Sequence, residues 1–203
     1  MTIEFFASRP DRAGRYTVRF EDGTTLRLYR QTVEDFGLYA GLELTEEEFS
    51  RLQTAAGEMS AKMRAVRIVA ASNVSKDDLK QRLIQKGEDP TQAADAVAWM
   101  EELKLVDDRE TARQNVSRSA ARGYGLERAR QALYEKRIPK SYWEEALSDY
   151  PDQTEAITAF LRSRPLEEPK DRKRAIDALV RRGHSYGDIR RAMRELEEEF
   201  PEE

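Results

Sequence analysis

The single histidine is the residue with which any acid–base or metal chemistry in this chain would have to begin. It is His184, in the stretch VRRGHSYGDIRRAM. Histidine changes its charge near neutral pH and is a common metal ligand. The chain has no cysteine, which excludes thiolate catalysis, disulfides and zinc sites built from cysteine. The role of His184 therefore decides whether the sequence can support an enzymatic interpretation.

Two adjacent carboxylates are the other candidates for chemistry, because carboxylate oxygens bind hard cations. They are Asp107 and Asp108, and no further oxygen ligands follow nearby in the sequence. Asp107 and Glu110 also have the spacing of a capping box, which satisfies free amides at the start of a helix. The segment GYG lacks the lysine and the preceding strand of a phosphate loop. We therefore predict a helix cap here, and no catalytic residue, metal or cofactor in the chain.

The arginines carry the stronger signal, because they fall in blocks of positive charge. Residues 109–140 hold nine Lys or Arg and three Asp or Glu, and residues 162–194 hold eleven against five, so each block has a net charge of +6. Between them, residues 141–161 hold five acids and no base, and residues 195–203 form a tail with six acids. Such blocks suit a polyanion or an acidic protein surface. The predicted binding residues are Arg113, Arg118, Arg122, Arg128, Arg130, Lys136, Arg137, Arg172, Lys173, Arg174, Arg181, Arg182, Arg190, Arg191 and Arg194.

The elements that must position these residues begin with a short β region. The segments RYTVRF and TTLRLY flank the loop EDG. A three-residue loop with Gly23 in the left-handed conformation makes a hairpin in which Val18 lies opposite Leu26. The earlier segment TIEFFA is predicted to add a third strand.

The rest of the chain has the pattern of helices joined by short turns. Thr45 and Glu48 have the spacing of a capping box and are predicted to begin a long helix. Glycines at positions 87, 123 and 183 are predicted to end helices, because glycine tolerates the left-handed conformation that closes them.

Three of these helical segments align with one another without gaps. They are AASNVSKDDLKQRL at 70–83, AARGYGLERARQAL at 120–133 and VRRGHSYGDIRRAM at 180–193. Asn73, Gly123 and Gly183 fall at one position, where a left-handed residue is predicted to end a helix. Ser75 and Ser185 are predicted to cap the helix that follows.

The alignment also predicts the role of the histidine. Val74, Tyr124 and His184 occupy the position after the helix end, which folds back onto the helix just completed. Because valine and tyrosine fill the equivalent positions, we predict that His184 packs and performs no chemistry.

The predicted fold is mainly α, with tandem three-helix repeats that form an elongated curved array after a small N-terminal β-hairpin region. No apolar run approaches the roughly 20 residues that span a bilayer, and the N-terminus lacks a signal-peptide pattern. We therefore expect a cytoplasmic protein with no membrane partner, and we also expect it to be a monomer. The predicted divisions are a β-rich region at 1–44, a first helical repeat with a long entry helix at 45–106, a second three-helix repeat at 107–151, and a third repeat with the acidic tail at 152–203.

Four segments together resemble the bacterial regulatory protein family RecX, and the likeness extends over about residues 58–196. They are LKQRLIQKG, LKLVDDRETARQNV, SRSAARGYGLERARQALYEKRI and ALVRRGHSYGDIRRAM. The chain departs from the family pattern at three positions. Lys104 replaces a glycine, Thr111 replaces an aromatic residue and His184 replaces a phenylalanine.

The resemblance implies that the protein modulates the recombinase RecA. Such proteins lie in the groove of the RecA–DNA filament, where they suppress filament extension, ATP hydrolysis and strand exchange, and thereby modulate DNA repair and the SOS response. The resemblance further implies weak binding to single- or double-stranded DNA. The N-terminal hairpin region looks like the extension found in RecX relatives from Gram-positive bacteria.

Three other classes of function remain open from the residues alone. The first alternative is a sequence-nonspecific DNA-binding helical protein that acts without RecA. The second is an adaptor whose charged blocks bind an acidic protein, and the third is an enzyme. The enzyme has the least support, because neither His184 nor the Asp107–Asp108 pair is predicted to do chemistry.

Overall fold

The computed structural model describes residues 1–199, which form three strands and ten α-helices. The mainly helical fold with a small N-terminal β region is thereby confirmed. The chain divides into two compact units, the first from Met1 to Val106 and the second beginning at Asp107. The last four residues of the predicted acidic tail, 200–203, lie outside the described residues.

The first unit begins with an antiparallel sheet. Its strands, in the order β1-β2-β3, are β1 (Ile3–Phe6), β2 (Arg15–Phe20) and β3 (Thr25–Tyr29). Val18 lies opposite Leu26, and Gly23 has φ +86° in the connecting loop. The predicted hairpin, its register and the third strand are therefore confirmed.

Four helices complete the first unit. They are α1 (Arg30–Asp35), α2 (Glu46–Ala71), α3 (Lys76–Gln85) and α4 (Pro90–Glu102). Thr45 and Glu48 form the predicted capping box at the start of α2. Because α2 has 26 residues, it contributes to two cores. Its Leu52 packs with the buried face of the sheet, whereas its Ala61 and Ala65 pack against α3 and α4.

The second unit consists of two groups of three helices, each around its own core. The first group is α5 (Asp108–Ala121), α6 (Leu126–Glu135) and α7 (Trp143–Leu147), with a 3₁₀ turn at Lys140–Tyr142 before α7. The second group is α8 (Thr154–Arg162), α9 (Pro169–Arg181) and α10 (Tyr186–Glu199). Val116 and Leu133 anchor the first core, and Leu161, Leu179 and Ile189 anchor the second.

At one of the three equivalent turns the predicted left-handed conformation is wrong, although the helix does end there. Gly123 and Gly183 have φ +64° and +87°, as the repeat predicts, but Asn73 is not among the described residues with positive φ. The chain leaves α2 through Ser72, which is extended at φ −160° and ψ 145°. An extended residue already turns the chain away from the helix axis, so Asn73 does not need the left-handed conformation.

The replacement of glycine by Lys104 falls at a position where the backbone still requires glycine-like geometry. Lys104 has φ +57°, directly after α4 ends. A side chain in this region brings Cβ close to the following carbonyl oxygen, which costs about 1–2 kcal/mol. Lys104 therefore adopts, at this turn, a left-handed conformation that glycine would adopt without strain.

No helix within residues 1–199 combines the length and the apolar composition that crossing a lipid bilayer requires.

Candidate polyanion-binding surface

The predicted packing role of His184 is confirmed, because its side chain is buried between two turns. Only 6% of the residue is exposed, and Nε2 lies 3.1 Å from the carbonyl oxygen of Gly123. A carbonyl oxygen can only accept a hydrogen bond, so Nε2 carries the proton in this contact. Burial lowers the pKa of His184 by penalising its charged form, against the opposing effect of the Gly123 hydrogen bond. The imidazole is therefore neutral at physiological pH.

The first of the adjacent aspartates caps a helix. Asp107 accepts hydrogen bonds from the backbone amides of Arg109 and Glu110, at 2.8 and 3.1 Å. The Glu110 side chain accepts a hydrogen bond from Gln114. Among residues 1–199, no group of three or more histidine, aspartate or glutamate side chains is arranged to hold a metal ion. The predicted helix cap at Asp107 is confirmed.

The central feature of the second unit is a contact between the two equivalent turns of its repeat, residues 122–125 and 182–185. We call this contact the turn junction. The amide of Gly125 donates to the carbonyl of Arg182 at 2.9 Å, and the amide of Glu127 donates to Gly183 at 3.2 Å. The turn between α5 and α6 is thus joined by its backbone to the turn between α9 and α10.

Glycine is required on both sides of the turn junction. A Cβ atom at Gly125 would lie 2.0 Å from the carbonyl oxygen of Gly183. A Cβ atom at Gly183 would lie 2.3 Å from the backbone nitrogen of Arg128, and Gly183 also has φ +87°. No side chain fits this spacing, because the obstructing atoms belong to the backbone and cannot move aside.

Side chains extend the junction beyond the backbone. Arg182 donates to the carbonyl of Arg122 at 3.1 Å. Its guanidinium carbon also lies 5.5 Å from the ring centre of Tyr124 and 5.4 Å from that of Phe160. Tyr150 donates its hydroxyl to the carbonyl of Tyr124 at 2.6 Å. Arg182, one of the predicted binding residues, is therefore held by contacts within the unit.

Six of the predicted binding residues lie beside carboxylates. Exposed ion pairs of this kind contribute about 0–1 kcal/mol to stability, but they neutralise charge that a partner would otherwise meet. The pairs are Arg113–Glu145 at 2.8 Å, Arg128–Glu135 at 3.3 Å, Arg130–Glu127, Arg172–Glu197 at 3.8 Å, Arg174–Asp171 at 3.1 Å and Arg191–Asp188 at 3.1 Å.

Lys136 and Arg137 lie where α6 ends. Lys136 is half-buried at the C-cap position, and Arg137 is exposed with φ +53°. The left-handed conformation of Arg137 closes the helix, as glycine does at the other turns.

A further six predicted residues are exposed and have no carboxylate within ion-pair distance among the side chains of residues 1–198. Arg118 and Arg122 lie four residues apart at the end of α5, and Arg190 and Arg194 lie four apart on α10, so each pair shares a helix face. We call the full group the unpaired set. It consists of Arg118, Arg122, Lys173, Arg181, Arg190 and Arg194.

The structure also brings together residues that the sequence analysis did not select. A groove of about 430 Å³ lies beside the turn junction, and we call it the arginine groove. Arg164 and the rings of Tyr124 and Phe160 belong to it, although none of them was predicted to bind a partner. In the sequence, the signal that pointed to this groove was the presence of arginine among aromatic residues. Its lining includes Tyr124, Arg128, Phe160, Arg164, Arg181 and Arg182.

Comparison with known proteins identifies the family. No model of a known protein family matches the chain. The regulatory protein RecX of Chlorobaculum tepidum is 33% identical over 141 residues, which span 66% of this chain and 87% of that protein. The chain belongs to the RecX family. The regulatory protein RecX of Clostridioides difficile is 25% identical over 190 residues, which span 90% of this chain and 89% of that protein.

A solved RecX structure has the same fold. The crystal structure of a regulatory protein RecX matches with a TM-score of 0.63 at 20% identity, covering 93% of this chain and 97% of the other. The resemblance to RecX seen in the sequence is confirmed. The match to the C. difficile RecX covers more of this chain than the match to the C. tepidum RecX does.

The turn junction predicts that alanine destabilises the protein at Gly183 but not at Gly187, four residues later. Gly183→Ala should lower the free energy of unfolding by about 3 kcal/mol, since it adds a left-handed side chain and a clash with backbone. Gly187→Ala is the matched control, because its Cβ would meet only Ser185 Oγ at 3.5 Å. It should leave stability unchanged or raise it by about 0.5–1 kcal/mol. Denaturant unfolding followed by circular dichroism measures both, and equal stability of the two variants would contradict the junction.

The buried imidazole predicts a pH dependence of stability. The pKa of His184 is lowered in the folded state, so below about 6.5 the unfolded chain binds a proton that the folded chain does not. Stability is therefore full above that pH and declines as the pH falls. The melting temperature of the wild type should fall as the pH is lowered from about 7.5 to about 5.5. In His184→Gln this fall should be smaller, because His184 is the only histidine. An unchanged slope in the variant would show that other groups cause the decline.

Proposed function

We propose that the protein regulates the RecA recombinase by binding in the groove of the RecA–DNA filament. In this role it inhibits filament extension, ATP hydrolysis and strand exchange, and so modulates DNA repair and the SOS response. Its membership in the RecX family, whose relatives are regulatory proteins, supports a regulatory role. The observation that carries the mechanism is the unpaired set, which leaves six cations of the second unit without carboxylate partners among the side chains of residues 1–198.

Unpaired cations on several helices favour an extended anionic partner. A cation that already faces a carboxylate has little to gain from a second anion, whereas one that faces only water is available. Arg118 and Arg122 come from α5, and Arg190 and Arg194 come from α10. A RecA–DNA filament offers DNA phosphates together with acidic protein side chains, so charges on both helices can be used.

The turn junction supports this role by joining the two halves of the second unit. α5 and α10 each lie next to one of the two joined turns. Backbone hydrogen bonds and two glycines join these turns, and the pairs on α5 and α10 belong to the same compact unit. A partner then meets both pairs with little loss of conformational freedom.

We further propose that the protein acts without catalysing a reaction. It would work in the cytoplasm as a monomer, without a cofactor or membrane partner, and would contact single- or double-stranded DNA weakly. The helical repeats at 45–106, 107–151 and 152–203 would be its functional units.

The main alternative is a sequence-nonspecific DNA-binding protein that acts without RecA. The same unpaired arginines would suit it, because phosphate contacts carry nonspecific affinity. Base-specific recognition has less support, since α10 begins with Tyr186, Gly187 and Asp188 rather than with the side chains that read base edges. Mobility shifts with DNA alone and with RecA–DNA filaments separate the two functions.

Charge reversal of the unpaired set should abolish inhibition of RecA. The variant replaces Arg118, Arg122, Arg190 and Arg194 with Glu. Repulsion from filament phosphates and acidic side chains should raise the concentration needed to inhibit strand exchange by about a hundredfold or more. Strand exchange by the cognate RecA is measured with increasing amounts of wild-type or variant protein.

A matched control carries the same change of charge on the first unit. It replaces four exposed arginines, Arg9, Arg12, Arg27 and Arg51, with Glu. The control should inhibit as the wild type does, and both variants should keep the wild-type helical signal in circular dichroism. Full inhibition by the charge-reversal variant of the second unit would show that the unpaired set does not contact the filament.

A further inference from the structure

We propose that the arginine groove binds the phosphodiester backbone of single-stranded DNA. The inference rests on the proposed function in taking DNA as part of the target, and it assigns the contact with the strand to a defined place. The groove lies between the two three-helix groups of the second unit. Tyr124 follows α5, Arg128 lies on α6, Phe160 on α8 and Arg181 on α9.

Aromatic rings hold two of the groove arginines in position. The guanidinium carbon of Arg164 lies 4.2 Å from the ring centre of Phe160. That of Arg182 lies 5.4 Å from the same ring and 5.5 Å from the ring of Tyr124. A guanidinium against a ring keeps its N–H groups in its own plane, where they can still donate to an anion. The rings therefore reduce the conformational freedom that binding would remove.

The groove has more positive charge than its surroundings compensate. Of its four arginines, only Arg128 has a carboxylate within ion-pair distance among the described residues. That carboxylate, on Glu135, lies 3.3 Å away, and both side chains are about half exposed, which makes the pair weak. Two guanidiniums share the ring of Phe160 and repel each other. An anion between them would turn this repulsion into attraction.

The number of arginines favours a phosphate chain over an acidic protein side chain. One carboxylate is satisfied by a single bidentate arginine, whereas four guanidiniums line this groove of about 430 Å³. Successive phosphates of one strand bring several anionic oxygens to such a groove. The single-stranded form is favoured because its unstacked bases can contact an aromatic ring such as Tyr124, which has only one guanidinium beside it within the described part of the chain, whereas a duplex keeps its bases stacked.

The test uses the full chain and single-stranded DNA without RecA. Arg164→Gln combined with Arg181→Gln removes two groove cations that are exposed and have no carboxylate partner among the described residues. The matched control, Lys140→Gln with Lys170→Gln, removes two exposed cations of the same unit outside the groove. The probe is a fluorescent oligothymidine of about 16 nucleotides, and binding is followed by anisotropy over a range of salt concentrations.

The groove variant should bind the strand about tenfold more weakly than the wild type at about 50 mM salt. The slope of log affinity against log salt should also become shallower by about 1.4, because two phosphate contacts are lost. The control variant should keep both values. A duplex of the same length should lose less affinity than the single strand does.

Three results would overturn the proposal. The first is that the groove variant binds the strand as tightly as the wild type does. The second is that the groove variant loses as much affinity for the duplex as for the single strand. The third is that the wild type does not bind the strand. Inhibition of RecA by the same proteins is measured separately. If strand affinity is unchanged but inhibition is lost, the groove binds an acidic protein surface and the DNA assignment is wrong. If the groove variant loses strand affinity but the wild type does not inhibit RecA, the groove is a DNA-binding site and the proposed regulation of RecA is wrong.

Discussion

The second unit depends on a backbone contact between two equivalent turns. A Cβ atom at Gly125 would overlap the backbone of Gly183, and a Cβ atom at Gly183 would overlap the backbone of Arg128 at the start of α6. The hydrogen bonds across this contact satisfy amides at the start of α6 that a helix cannot satisfy internally. His184 fills the space beside them and donates to Gly123. The side chain of the only histidine therefore packs at the turn junction and adds a hydrogen bond to it.

The same contact distributes the arginines between structural and exposed roles. Arg122 and Arg182 occupy equivalent positions of the repeat, directly before the glycines. Arg182 is turned toward the junction, where it donates to the Arg122 carbonyl and lies against Tyr124. Arg122 contributes that carbonyl and keeps an exposed side chain. A symmetric sequence pattern therefore produces an asymmetric surface, in which Arg182 lies against the turn junction and the arginine groove while the Arg122 side chain is exposed.

Features set by local spacing could be predicted from the sequence. The hairpin register, the caps at Thr45 and Asp107 and the buried position of His184 depend on neighbouring residues or on the repeat. The predicted left-handed conformation of Asn73 is wrong, because the four residues that join α2 and α3 can turn the chain in more than one way. The arginine groove could not be predicted, because Arg164 and Phe160 meet Arg182 only after the two helix groups pack together.

DNA-dependent ATP hydrolysis by the cognate RecA is the measurement that best separates regulation of the filament from DNA binding alone. The protein is added from far below RecA to equal stoichiometry, with single-stranded DNA held constant. If the protein regulates filament extension, hydrolysis should fall at ratios well below one protein per RecA, since such a regulator acts on many subunits at once. Full hydrolysis at equal stoichiometry, with DNA binding retained, would contradict this role and would identify a DNA-binding protein that acts without RecA.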